Sequence, residues 1–160
     1  MSLIQLDGVG FELIGVLLLR HGFYSHSPAH YGPVSACPPL RVQPLLPAAL
    51  TSGGQVLLAE LDGGVLESLY RSNSARTSGD FLDEADFDRF RRRLDSIRRV
   101  GFALNRERTE RGVAALGMAV READGEAVAA VSISVPARHA GMLDAPDLHA
   151  ALGRACRVGA

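Results

Sequence analysis

Lysine is absent: all 17 basic residues of the 160-residue chain are arginine, a usage that reads as genome composition rather than function. Eighteen acids balance them, leaving a formal net charge of −1. Nucleic-acid binding needs clustered positive charge to meet the phosphates. Thirteen of the arginines follow residue 80, but so do twelve of the acids, so the second half is dense in charge without being basic. On charge alone this chain is not expected to bind DNA. Cysteine is scarce as well. Cys37 and Cys156 have no CxxC spacing and read as two ordinary thiols, which excludes a disulfide framework. Long apolar runs are missing too. The longest, Leu13 to Leu19, contains a glycine and is far short of the roughly 20 residues a membrane helix needs. The first residues also lack the basic start and cleavage pattern of a secretory signal. A cytoplasmic location is the expectation.

What is present suits one globular domain. Hydrophobic residues make up 47% of the chain and charged residues 22%, a balance that allows a buried core at this length. No internal repeat or low-complexity tract occurs. Glu12 to Arg20 reads as a buried strand, with His21-Gly22 turning into a second strand through Phe23 to His26. Between Ser27 and Pro47 the density of proline predicts loop or edge strand.

From Leu50 the pattern changes. Thr51-Ser52-Gly53-Gly54 supplies cap hydroxyls and glycines before Gln55 to Leu61, which reads as a short apolar helix. Asp62-Gly63-Gly64 is expected to stop it, and Val65 to Tyr70 to form a further helical stretch. The clearest element follows. Asp83 caps a helix whose apolar positions Phe87, Phe90, Leu94 and Ile97 share one face, with Gly101 placed to end it. Its six arginines interleave with Asp86, Asp88 and Asp95, so they read as a solvated face with local ion pairs. Gly112 to Val120 and Ala127 to Val135 read as a hairpin around Asp124-Gly125, and Pro136 ends it. A last helix begins near Pro146. Strands and helices mix without regular βαβ alternation, so the fold class is α+β with an antiparallel sheet.

Nothing asks for catalysis. There is no GxSxG elbow, P-loop or HExxH, and no activated nucleophile or acid–base pair can be named. His26, His30 and Cys37 could be imagined around zinc, but Pro28 separates the histidines and no fourth ligand has suitable spacing. Neither a metal nor another cofactor is expected, and the chain reads as a non-enzyme.

One strand carries more information. Alternation along the return strand puts Ala127, Ala129, Val131, Ile133 and Val135 on one face and Val128, Ala130, Ser132 and Ser134 on the other. Two hydroxyls at i and i+2 suit a pocket that hydrogen-bonds a polar ligand, since a buried hydroxyl needs a partner. The alternative is that this face meets solvent. Glycines and hydroxyls at 51–54 leave backbone N–H groups at a helix start, an arrangement that favours a carboxylate or phosphate, although most such segments are merely caps.

Four segments together resemble the effector-binding domain of IclR-type bacterial transcription regulators. Gly101-Phe102-Ala103-Leu104-Asn105-Arg106-Glu107 is similar to that family's GYAxDxEE segment. Gly112 to Val120 resembles GVxCIAxPV, Val128 to Pro136 resembles xAALSxSGP, and Thr51 to Ala59 resembles AxxxGKAxLA. Order and spacing also agree, over residues 45–160; residues 1–44 match only in strand-turn-strand character.

The resemblance implies a GAF- or profilin-like α+β domain, an antiparallel sheet flanked by helices, with residues 1–160 forming a single sensor domain. It implies a small-molecule effector, a small organic acid or aromatic carboxylate, and assembly as a homodimer or homotetramer. DNA would be met only through a winged helix-turn-helix domain. Nothing resembling that motif precedes residue 50, whether the chain is a trimmed sensor or a stand-alone one. Carried over by position, the pocket would include Ser52 and Gly53 through their backbone N–H groups, Ser132 and Ser134 as side-chain donors, and Asn105 and Ala115. Asn105 stands where the family has Asp and Ala115 where it has Cys, which implies a less acidic and roomier pocket. Gln55 replaces the family's Lys, Ala119 its Pro and Val135 its Gly. These departures motivate a competing reading, a ligand-independent oligomerisation or partner-binding module on the same fold.

Overall fold

The computed structural model describes residues 12–19, 22–26 and 47–157. The N-terminal hairpin is β1 (Glu12–Leu19) paired antiparallel with β2 (Gly22–His26), with Leu19 opposite Gly22. The proline-rich stretch from Ser27, including His30 and Cys37, lies outside the described residues up to position 46. Then follow α1 (Ser52–Leu58), α2 (Gly63–Arg71), α3 (Asn73–Ser78) and α4 (Glu84–Val100). The chain returns through β3 (Phe102–Arg106), β4 (Val113–Arg121) and β5 (Ala127–Pro136), and ends in a 3₁₀ helix (Ala137–Asp144) and α5 (Pro146–Ala155). The strands form one five-stranded sheet, ordered β2-β1-β5-β4-β3, with every pairing antiparallel. The α+β class is therefore the observed one. No described helix is long and apolar enough to cross a membrane.

Local chemistry accounts for most element ends. The Thr51 hydroxyl accepts from Gly54 N at 2.9 Å, so α1 starts at Ser52 and both glycines lie inside it. The expected start at Gln55 is three residues late, because packing against the sheet overrides the low helix propensity of glycine. Asp62 and the glycines after it do not merely end α1: Asp62 holds the N-cap position of α2, which begins at Gly63. In α4 the Asp83 carboxylate accepts from Asp86 N at 2.8 Å, and Gly101 closes the helix in the left-handed conformation with φ 82°. The arginines of α4 are exposed, and pairs form at Asp86–Arg89 and Asp95–Arg98, as a solvated face requires. Helix α3 and the 3₁₀ helix lie outside the sequence expectations, and both are too short for periodicity to show.

The sheet separates two buried clusters. On one face α1, α2 and α4 contribute Val56, Leu57, Leu58, Leu66, Phe87 and Leu94, which pack with Ala103 and Ala130. On the other, Ala114, Leu116, Met118 and Val135 meet Leu143 of the 3₁₀ helix, Leu152 of α5 and Cys156 directly after it. Burial of the Cys156 side chain pushes its thiol pKa up, which makes it a less reactive thiol.

Candidate functional site

The face of the sheet beneath α1 gathers all six residues singled out from the sequence. Register places Asn105, Ala115 and Ser134 side by side across β3, β4 and β5. The next row on the same face is Ala103, Gly117 and Ser132. Ser52 and Gly53, at the start of α1, lie directly over Gly117: a Cβ built there would sit 2.6 Å from the Ser52 carbonyl carbon and 2.8 Å from Gly53 N. The helix backbone therefore touches the sheet, and only glycine permits that approach. Ser132 and Ser134 are 4% and 5% exposed, which settles their strand face as buried rather than solvent-facing.

Ser52, Ser132 and Asn105 each find a side-chain hydrogen-bond partner in or beside this layer. The Ser52 and Ser132 hydroxyls bond each other at 3.1 Å across 80 residues of sequence. Asn105 uses both ends of its amide. Its Nδ2 donates to Leu50 O at 3.0 Å and to the Thr109 hydroxyl at 2.9 Å, and its Oδ1 accepts from Arg108 N at 3.0 Å. Asn105 thus braces the segment entering α1 against the turn leaving β3, where Glu107 has φ 55°. Gln55, also buried, donates from Nε2 to Ala49 O at 2.7 Å and braces the same entry segment from the helix side. At the far end of α1, Arg98 donates to Ala59 O at 2.8 Å, so both ends of this short helix are tied to neighbouring elements.

Gly117, Thr109 and Leu50 belong to the site but were not among the residues expected. Gly117 had a readable signal, a glycine inside an otherwise apolar strand, which marks close backbone approach. The Leu50 carbonyl had none, since it enters through a contact across 55 residues, and Thr109, four residues from Asn105 in the turn after β3, carried no pattern that marked it. The layer itself, Ser52, Gly53, Asn105, Ala115, Ser132 and Ser134, contains no ionisable side chain. It can donate and accept hydrogen bonds but has no group to exchange a proton near neutral pH. Among the described residues no group of three or more His, Cys, Asp or Glu is placed to hold a metal ion.

The described residues thus form an antiparallel α+β domain with a buried polar layer under a short helix. Residues 41–157 match the model of the bacterial transcriptional regulator IclR C-terminal family, and the chain belongs to that family. Solved structures agree. The repressor BlcR of Agobacterium tumefaciens aligns over 91% of this chain at 20% identity, with a TM-score of 0.61. The inducer-binding domain of the PobR transcription factor from Acinetobacter, a double mutant in complex with 3-hydroxybenzoic acid, aligns over 81% of this chain and 74% of its own, at 26% identity and a TM-score of 0.55. HmgR of Pseudomonas aeruginosa aligns over 79% of this chain at 22% identity and a TM-score of 0.55. This chain spans 55% of the BlcR chain and 49% of the HmgR chain. No curated protein sequence matches it. The matched family is one of transcriptional regulators, BlcR is a repressor and PobR a transcription factor.

Proposed function

We propose that residues 1–160 form the effector-sensing domain of an IclR-type regulator and bind a small organic or aromatic acid between the start of α1 and strands β3–β5. The observation that carries this reading is the buried, uncharged layer of Ser52, Asn105, Ser132 and Ser134 set within an apolar core. A core built only for stability has little use for three hydroxyls and an amide, whereas a binding site needs a few placed donors among apolar walls. The PobR domain, related over most of its length, is an inducer-binding domain in complex with a hydroxybenzoic acid, which supports the ligand class. An acid entering the layer exchanges the Ser52–Ser132 bond for bonds of its own, with Ser52 N and Gly53 N at the helix start facing its carboxylate. The ligand's preference for one arrangement of α1 then shifts the regulator between two states, and through a homodimer or homotetramer alters DNA binding by a winged helix-turn-helix domain. No catalytic step is part of this role, and the regulator acts in the cytoplasm.

A second reading, a ligand-independent oligomerisation or partner-binding module, is favoured by one specific feature. Every polar side chain facing the layer from Ser52, Ser132 and Asn105 is already satisfied within the protein.

A thermal-shift screen against small organic acids and aromatic carboxylates separates the two. A ligand at a hundredfold excess over its dissociation constant stabilises the fold by about 2.7 kcal/mol. The sensor reading expects a hit that is lost when Ser132→Ala and Ser134→Ala are combined, with the fold retained. A hit unaffected by that pair removes these residues from the site, and no hit from a folded sample leaves the partner-binding reading.

A further inference from the structure

A concavity lies beside the segments that Asn105 braces. It is a cleft of about 510 Å3 with an apolar floor of Leu50, Leu82 and Phe90. Its rim carries Asp86, Arg89 and Arg93 from α4 and Arg108 from the turn after β3. None of the six residues of the polar layer lines it. Positions 86, 89, 90 and 93 share one helix face by their spacing of three and four residues. Asp86 pairs with Arg89, which neutralises that arginine. Among the described residues neither Arg93 nor Arg108 has a carboxylate partner, so two exposed guanidinium groups from separate elements border an apolar floor.

We propose that this cleft binds an amphipathic organic anion, with a carboxylate or phosphate head between Arg93 and Arg108 and an apolar body on Leu50, Leu82 and Phe90. The volume falls in the range of small-molecule sites, roughly 300–1,000 Å3, and is too small for a folded partner. Guanidinium suits both head groups, because its planar fork donates two parallel hydrogen bonds. Asn105 ties two of the lining segments together. Asn105 accepts from Arg108 N and donates to Leu50 O, each at 3.0 Å, so an anion drawing Arg108 inward pulls on the residue that also braces the entry to α1. The cleft is thus placed to report to the start of α1 from outside, and its existence does not depend on the polar layer binding anything.

Isothermal titration of the 160-residue chain with benzoate, phenyl phosphate, inorganic phosphate and benzyl alcohol tests this. Saturable binding of an aryl anion is expected, weakening with added salt, with no binding of benzyl alcohol. The tighter aryl anion identifies the head group. The Arg93→Ala, Arg108→Ala double variant, altered only at exposed side chains, should weaken that binding about tenfold or more, since each lost bond is charge-assisted. Arg99→Ala, at an exposed arginine of α4 outside the cleft lining, should leave it unchanged. The proposal is overturned if a folded chain binds neither aryl anion, if the double variant binds as well as the parent, or if Arg99→Ala weakens binding as much. Inorganic phosphate binding as tightly as phenyl phosphate would remove the role of the apolar floor.

Discussion

Gly117 shows how a single missing side chain sets the geometry of the site. Every other residue at its place in β4 would carry a Cβ into the Ser52 carbonyl, 2.6 Å from its carbon and 2.7 Å from its oxygen. These are backbone atoms of a buried helix, so no flexible side chain can swing aside. Gly117→Ala must lift α1 or bend the strand, and overpacking of this kind costs about 1–3 kcal/mol. Urea unfolding is expected to show that loss. Effector affinity should fall with it, because Ser52 would be carried away from Ser132. A variant with parental stability would mean that α1 does not press on the sheet at this point. One departure from the family pattern is explained at the same scale. Asn105 offers both a donor and an acceptor, and it uses them on Leu50, Thr109 and Arg108. A carboxylate in its place could accept from Arg108 N but could not donate to a carbonyl.

Among the elements, α4 is the one whose sequence and structure agree most closely. Phe87, Phe90, Leu94 and Ile97 are all buried and the intervening arginines are exposed. The N-terminal cap is local, a carboxylate bonded to a backbone N–H three residues on, and losing such a cap costs about 1 kcal/mol. Asp83→Ala should therefore lower the unfolding free energy by about that amount while leaving the alignment of the apolar stripe intact. Thermal denaturation with helical circular dichroism measures it, and an unchanged midpoint would show that packing alone holds this end. Helix α1 is the opposite case. Its seven residues are all buried and include two glycines, so its existence rests on the sheet beneath it and on the braces from Asn105, Gln55 and Arg98. Such a helix has little stability of its own. It is the element that a ligand in the polar layer or in the cleft could shift at least cost.

At the scale of the whole molecule, stability against alkali depends on Tyr70. Burial, and secondarily the charge of Asp80, push its hydroxyl up from 10.0 to about 12. The folded state therefore holds this proton over a range in which the unfolded chain releases it. The contribution is complete below about pH 10 and is lost as pH rises from there towards 12, reaching about 3 kcal/mol once both states are ionised. Urea unfolding between pH 9 and pH 11.5 should show a steeper decline for the parent than for Tyr70→Phe, and parallel declines would remove Tyr70 as the cause. The surface has a different character. The bidentate Arg121–Glu60 pair and the Arg106–Asp144 pair, made through one guanidinium nitrogen, join distant parts of the chain but are half-exposed, so they fix geometry more than they stabilise.

Sequence alone was enough for whatever repeats within a few residues. The α4 stripe, the hairpin with its turn at Gly125, the start of α5 at Pro146 and the alternation of Ser132 and Ser134 all follow from periods of 3.6 or 2 and from local turn chemistry. The resemblance carried by four short segments added which of these residues belong together, and they share one buried layer. Tertiary structure decided the rest. It brought Ser52 to Ser132 across 80 residues and Leu50 to Asn105 across 55, and it set Arg93 and Arg108 on the lining of one cleft. No local pattern encodes such contacts. They arise because a helix that cannot stand alone must bury itself on the sheet, and the place where it lands depends on where one glycine leaves room.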